Sequence, residues 1–524
     1  MELRDHLVII GANDVGKTSV LRLLDMLLGA TTQQHYRTFT SNDIRTSADE
    51  LVVEARLEGL TPDEVAQFPF AITVEPGVDD YLTVRLEVRV DDNEDDSVVV
   101  ERFAPDAGSR RNLSRDQLSA IGWRYLPADR PTNADAMNGR NSAFRTMLDA
   151  VDIGAESAAL GGLLNEFNSK LESNHELHTL RATIAAQLSR SVPRAYTSDS
   201  LAIRTAEDPF DEPLQDVSIF LRDGNQLRSL ADQSDGMRQL MSLTFFDLAQ
   251  SLANIVAVDE PEMHLHPPSQ RTIASLFAES TQQRLVVTHS PYIVQRFEPK
   301  HVLVINPNSE ARQIASTNFS SVEKEMLQWW SPQLLEGLTA RRILFVEGLA
   351  DKIIVEAEAA AAASGINLDR IGVSLFALDG ADKFNHVLKV VGKTGFNLTI
   401  SGICDEDRED SWATHLKLAP KKLSANGFFV ARSDLEHEYV AAVGAKAVAE
   451  ALISARTERL QGILQSTETD SLDELTDAAL ADYLVKEDRR KVPAARTVAQ
   501  LLTEKIVARS GALSGLIDYL RKFD

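Results

Sequence analysis

Three short stretches of this sequence combine residue types and spacings suited to chemistry on phosphate groups. The first is Gly11-Ala12-Asn13-Asp14-Val15-Gly16-Lys17-Thr18, a GxxxxGKT run. Its glycines let backbone N–H groups close around phosphate oxygens, Lys17 reaches the β/γ-phosphates, and the Thr18 hydroxyl is placed to ligate Mg²⁺. The second is Asn254 to His266, NIVAVDEPEMHLH, where a β-branched apolar run ends in Asp259 and Glu260. Such a run reads as a buried parallel strand that delivers carboxylates at its C-terminal edge, or equally as a buried strand followed by an acidic turn. The third pairs Glu347, which follows the apolar run Arg342 to Val346, with Asp405-Glu406-Asp407, which follows Leu398 to Cys404. A glutamate on one strand end and a DxD on another make an oxygen-rich site for Mg²⁺ or Mn²⁺, able to activate water and stabilise a phosphodiester transition state. By pattern alone, DEDRED reads better as a solvated acidic turn.

The neighbouring sequence supplies elements to hold these residues. His6 to Ile10 is a short strand and Ser19 to Leu28 repeats apolar residues at helical spacing, so the first stretch is strand, loop, helix, as its motif requires. Ser234-Asp235-Gly236-Met237-Arg238-Gln239 sets a hydroxyl and a glycine before a helix N-terminus, an arrangement fit for phosphate and also for an ordinary serine cap. Leu285 to Thr288 reads as a strand that ends in His289, where open α/β sheets place ligands. Four strands, Leu51 to Leu57, Phe70 to Glu75, Tyr81 to Val90 and Ser97 to Phe103, predict an antiparallel sheet. Trp123 to Leu126 predicts another strand, leading to Arg130, which faces either a nucleotide or a surface carboxylate. Residues of about 135–190 predict an inserted helical arm, for packing or for dimerisation.

Beyond about residue 335 the alternation of strand and helix starts again, with a strand at Val373 to Leu378 and a helix near Lys383 to Val391. This predicts a second, smaller α/β domain over 336–524, after a first over 1–335, with a helical segment near 445–500. Lys486 to Arg496, KEDRRKVPAAR, with Lys417, Lys421 and Lys422, either tracks a phosphate backbone or is a solvated loop.

Composition bounds these readings. The 524 residues carry 54 Lys and Arg against 78 Asp and Glu, 54 − 78 = −24, and 44% are hydrophobic. Global acidity disfavours nucleic acid if charge alone decides, but DNA is met by local basic patches while metal sites themselves need acids. A single cysteine, Cys404, excludes an intrachain disulfide framework and a thiolate-rich zinc site. No apolar run approaches the roughly 18 to 20 residues that span a bilayer, and MELRDHLVII lacks a signal-peptide pattern, so the expectation is a cytoplasmic protein with no membrane partner.

In order, the phosphate loop, Ser234 to Gln239, Asp259-Glu260 and His289 resemble ABC-type ATPase heads of the DNA-repair and chromosome-maintenance kind. That resemblance assigns ATP to Asn13, Gly16, Lys17, Thr18, Ser19 and Asp259, with Mg²⁺ on Thr18 and Asp259. It gives Glu260 the attacking water and His289 the γ-phosphate, and makes Ser234 and Gly236 the signature that completes a second subunit's site in a head-to-head dimer. Asp43 falls where such heads carry a metal-contacting loop, and His264 and His266 in MHLHP are read as structural. Such heads frame the adenine with a strand or two before the loop, whereas Gly11 leaves room for one, which implies either a truncated start or a pared-down head with reduced base contacts and ATP turnover.

VEGLADK, followed at a distance by ICDEDRED, resembles the TOPRIM domain, and the two motif sets in one chain resemble the OLD-family nucleases, which include the Gabija antiphage nuclease. The implied fold is α/β: an ABC-type ATPase domain with a helical insertion, followed by a TOPRIM domain with a helical C-terminal elaboration. The implied function is an ATP-regulated, metal-dependent DNA endonuclease of antiphage defence. Its metal ligands would be Glu347, Asp351, Asp405, Asp407 and Glu436, with Lys505 as the family's late lysine. Its partners would be DNA, further copies of itself through the heads, and a helicase or other defence protein. The alternative is a non-catalytic ABC-type clamp or signalling subunit that binds DNA or a partner effector.

Overall fold

The computed structural model describes residues 1–44, 50–90, 98–108, 110–128, 154, 156–191, 197–200, 220–223, 226–229, 233–249, 253–306, 310–315, 318, 331–362, 365–380 and 383–523. By internal contacts the chain divides into two compact units, one of residues 1–125, 254–262 and 270–524, the other of 126–253 and 263–269. Contacts therefore divide the chain at the inserted segment, and both chemistry-bearing sheets lie in the first unit.

The strands in chain order are β1 (His6–Gly11), β2 (Glu50–Glu58), β3 (Ile72–Thr73), β4 (Tyr81–Val90), β5 (Val98–Phe103), β6 (Trp123–Leu126), β7 (Phe220–Asp223), β8 (Gln226–Ser229), β9 (Ile255–Asp259), β10 (Gln283–Val287), β11 (Val302–Ile305), β12 (Ala311–Gln313), β13 (Arg342–Val346), β14 (Val373–Ala377), β15 (Ile400–Asp405) and β16 (Phe428–Ala431). A six-stranded sheet runs β12-β11-β1-β10-β9-β6, with β11, β1, β10 and β9 parallel and β12 antiparallel on its edge. All six residues of β1 are buried, as expected of a parallel strand covered on both faces. The helix Lys17–Leu28 buries Leu21, Leu24 and Leu27 against a core that also takes Leu7, Ile9, Leu285 and Val287 from this sheet.

The antiparallel sheet joins β2, β4 and β3 in that order, with β5 also on β4. The strand expected over Phe70 to Glu75 shrinks to Ile72–Thr73, because Phe70 sits in a turn at φ +70° with 90% of its surface exposed. Arg130 and the start of the expected arm at 135 lie outside the described residues. Of the inserted arm, the helices Glu156–Ser173 and His175–Ser191 are described.

The second sheet is all parallel, in the order β14-β13-β15-β16. From β13 the chain winds one way to β14 and then the other way through β15 and β16, so the order reverses between β13 and β15. Outside the C-terminal ends of strands, such a reversal leaves a crevice. The helix Leu349–Ala361 buries Ile354, Val355 and Ala359 in this sheet's core. The helical segment expected near 445–500 is divided into several helices, among them Ala445–Ser454, Leu460–Thr467 and Asp477–Val485. KEDRRKVPAAR is not a solvated loop: the helix Asp488–Ala499 buries Ala494, Ala495 and Val498 in the same core, and Arg490 stacks on Tyr483 at 3.9 Å.

Candidate functional site

Two groups of acids lie at the C-terminal ends of parallel strands. In the six-stranded sheet the loop after β1 reaches the helix Lys17–Leu28 through Gly16 at φ +94°, a left-handed conformation that a side chain would strain. Lys17 is 6% exposed and its Nζ donates to the Ala12 carbonyl at 2.6 Å. Burial lowers its ammonium, against the pull of Glu260 and Asp259. Thr18 Oγ1 donates to Asp259 Oδ1 at 3.3 Å, and Tyr125 Oη to Asp259 Oδ2 at 3.5 Å, across a carboxylate with no exposed surface. Burial raises Asp259 and pushes Tyr125 to about 12, helped by the Asp259 charge.

Glu260 follows at φ +44°, with Oε1 3.9 Å from His289 Nε2. Burial and then the Lys17 charge lower His289, with Glu260 opposing. Glu262 was not singled out in the sequence, yet it accepts from Thr288 Oγ1 at 2.8 Å and from the His289 amide at 2.6 Å, tying the end of β10 to the turn after β9. Its signal in DEPE was an acid two residues past Glu260. Thus Lys17, Thr18, Asp259, Glu260 and His289 meet in one place. Asp43 is exposed and accepts from the Thr40 amide and hydroxyl, serving its own turn.

In the second unit, Ser234 stands before the helix Asp235–Ala249, and its carbonyl accepts from the Arg238 amide at 2.9 Å. A Cβ on Gly236 would lie 2.8 Å from the His264 carbonyl oxygen, so only glycine fits there. His264 and His266 are exposed.

The second group forms at the reversal between β13 and β15. Glu347 follows β13, and its Oε1 accepts from the Asp405 amide at 2.9 Å. Asp405 closes β15, and its Oδ1 accepts from the Leu435 amide at 3.1 Å. Asp351 Oδ2 accepts from the Gly348 amide at 2.8 Å in the first turn of the helix Leu349–Ala361. Glu436, 2% exposed in the helix Leu435–Val443, leaves Oε1 without a hydrogen-bond partner. Burial and then the Glu347 charge push Asp405 up to about 8, and burial and then Glu436 push Asp351 to about 7. Among the described residues, no group of three or more His, Cys, Asp or Glu side chains stands ready in an arrangement that would hold a metal ion. The carboxylates sense one another's charge while backbone amides occupy several of their oxygens.

Asp407 is exposed in the single turn Glu406–Arg408 and pairs with Arg408 at 3.3 Å. Because the chain leaves the extended conformation after Asp405, Asp405 and Asp407 do not share a strand face. The ammonium that faces the group is Lys491, whose Nζ stands 3.9 Å from Glu436 Oε1. Burial alone would lower it, but the combined field of Glu436, Asp405, Asp351 and Asp434 raises it. Lys505 is exposed in the helix Glu504–Val507. Basic sequence between Lys486 and Arg496 was the available sign for Lys491.

Residues 7–295 match a family model described as an AAA domain of the AbiEii, type IV TA system group. Residues 338–407 match the TOPRIM domain of overcoming-lysogenization-defect-like proteins. A curated relative, Endonuclease GajA of Bacillus cereus (strain VD045), is 22% identical over 377 residues, which cover 67% of this chain and 63% of the relative. Among solved structures, the C-terminal region of the Burkholderia pseudomallei OLD protein covers 35% of this chain and 98% of its own at 23% identity and TM-score 0.29. An Smc head bound to the C-terminal winged-helix domain of ScpA covers 58% and 87% at 19% identity and TM-score 0.34. No described helix is long and apolar enough to cross a membrane.

Proposed function

We propose the function of this chain from one premise: it belongs to the AAA-domain family matched over residues 7–295, and it carries an OLD-like TOPRIM domain behind that match. On that premise it is a divalent-metal-dependent DNA endonuclease whose TOPRIM site is regulated by the ATP-binding head, acting in the cytoplasm in antiphage defence. The observation that carries this reading is the convergence of Glu347, Asp351, Asp405 and Glu436 at the reversal of a parallel sheet, with two carboxyls held near neutrality. Such a donor set suits a hard cation, and Glu436 Oε1 has no hydrogen-bond partner, only the Lys491 ammonium at 3.9 Å. A bound Mg²⁺ or Mn²⁺ supplies an activated water and charge stabilisation for the phosphodiester.

Within that reading Glu347, Asp351, Asp405 and Glu436 hold the ion, and Asp407 stands at the exposed rim. Lys491 replaces Lys505 as the ammonium beside the scissile phosphate, since its charge already lies among the acids. In the head, Asn13, Gly16, Lys17, Thr18 and Ser19 cradle the ATP phosphates, Thr18 and Asp259 hold Mg²⁺, Glu260 positions water and His289 contacts the γ-phosphate. Ser234 and Gly236 complete the site of a second copy, so the heads assemble in pairs or larger oligomers, to which a helicase or other defence protein adds. We keep the boundary between head and TOPRIM domain near residue 335.

The rival, a non-catalytic clamp or signalling ATPase, draws on the net charge of −24. Incubating plasmid DNA with Mg²⁺ or Mn²⁺, with and without ATP, separates the two. The nuclease reading expects cleavage by wild type, none by Asp405→Ala, and altered nucleotide dependence in Lys17→Ala. A plasmid left intact by wild type under every metal and nucleotide condition favours the clamp.

A further inference from the structure

A cleft of about 600 Å³ opens on the head where the helix Lys17–Leu28 ends, away from the phosphate loop at its start. Arg102, Arg115 and Arg124 line it together with Thr32, Ser119 and Trp123, and no Asp or Glu is among its lining residues. Arg102 is the unusual member, because only 4% of it is exposed. Its Nη1 donates to the Ala30 carbonyl at 2.7 Å and the Met26 carbonyl at 3.3 Å, while its Nε has no hydrogen-bond partner. The carboxylate whose charge reaches it is Asp25, and Asp25 Oδ1 is engaged by Trp123 Nε1 at 2.8 Å. Burial lowers the Arg102 guanidinium only to about 10, so it stays charged at neutral pH. Arg102 is thus a buried cation in the cleft wall, and a planar guanidinium matches phosphate oxygens.

We propose that this cleft binds a small phosphorylated molecule, with its phosphoryl oxygens on the Arg102, Arg115 and Arg124 guanidiniums. Its volume lies in the range of small-molecule sites, and its concave form suits a ligand the size of a nucleotide better than a duplex. The site is separate from the phosphate loop but built on the same parts. The helix that begins at Lys17 ends in the cleft wall, and β6 carries both Trp123, on the cleft, and Tyr125, on Asp259.

Calorimetric titration with inorganic pyrophosphate tests this on the full chain carrying Lys17→Ala, which weakens binding at the phosphate loop. The expected result is saturable binding that Arg115→Ala with Arg124→Ala weakens by about tenfold or more, the loss of a charge-assisted hydrogen bond. Arg102→Lys, which keeps the charge but loses the fork, weakens it too while the thermal unfolding transition is retained. Absence of saturable binding in Lys17→Ala, or binding that the arginine substitutions leave unchanged, overturns the proposal. So does a result in which those substitutions reduce affinity for duplex DNA and not for pyrophosphate.

Discussion

In the head, the carboxylates at the strand ends are met by donors from the chain's own side chains. Thr18 and Tyr125 meet Asp259, Thr288 meets Glu262, and the Lys17 charge acts on all of them. In the TOPRIM domain, Glu347, Asp351 and Asp405 take hydrogen bonds from backbone amides instead, and the Lys491 ammonium interacts with Asp351, Asp405 and Glu436. The first arrangement balances much of its charge before any ligand arrives. The second keeps two carboxyls near neutrality by burial and mutual repulsion, the feature on which the proposed cation site rests.

The largest expected effect follows from removing an acid of the second group. Asp405→Ala should lower plasmid cleavage by about a thousandfold, the several kcal/mol that metal catalysis supplies, while ATP binding stays at the wild-type level. If nucleotide binding falls alongside cleavage, the two sites are not independent in the way the comparison holds. Next, Lys491→Ala should reduce cleavage by about a hundredfold and Lys505→Ala by less than about twofold, a difference of roughly 2.5 kcal/mol in barrier. Equal losses, or a larger loss at Lys505, would return the late lysine to its sequence-based position.

Lys17→Ala should weaken ATP binding by about tenfold to a hundredfold, as expected for a lost charged hydrogen bond to phosphate, and leave metal binding by the TOPRIM acids intact. Fluorescent-nucleotide titration measures the first effect. The smallest effect is on stability, and it has opposite signs in the two regions. His301 is buried in the head with neither ring nitrogen hydrogen-bonded, and burial followed by the His6 charge holds it at about 4. The unfolded histidine, near 6.5, takes up its proton first, so head stability is lost as pH falls from about 6.5 toward 4, by about 2 kcal/mol at pH 5. Asp405 and Asp351 are raised, so without metal their unfavourable contribution grows as pH rises from their ordinary range through about 7 to 8. Thermal unfolding of wild type and His301→Phe at pH 7 and pH 5 checks the first term, which the substitution should remove.

Much of this was legible in the chain because strands that are buried on both faces read as continuous apolar runs, and the chemistry sits where those runs end. Residues 6–10, 255–258, 285–288 and 342–346 all fall in parallel strands or at their ends, Asp259, His289, Glu347 and Asp405 are at or just beyond strand termini, and Lys17 opens the helix after the loop that follows β1. What sequence missed depends on packing across the fold. Lys491 faces the acids because its helix docks by Ala494, Ala495 and Val498, and a run read by charge alone looks like surface. Asp407 was paired with Asp405 on the assumption of an extended segment, which the turn Glu406–Arg408 ends. Phe70 to Glu75 has strand composition but contains a residue at positive φ, a local strain that composition does not carry.

The central claim is that the TOPRIM acids await a divalent cation whereas the head's acids are largely matched within the chain. Titrating Mn²⁺ into the nucleotide-free protein by calorimetry tests it most directly. The account predicts saturable binding in wild type and in Lys17→Ala, weakened by at least about tenfold in Asp405→Ala. Binding that survives Asp405→Ala unchanged and disappears in Asp259→Ala would contradict it, as would wild-type protein that takes up no Mn²⁺.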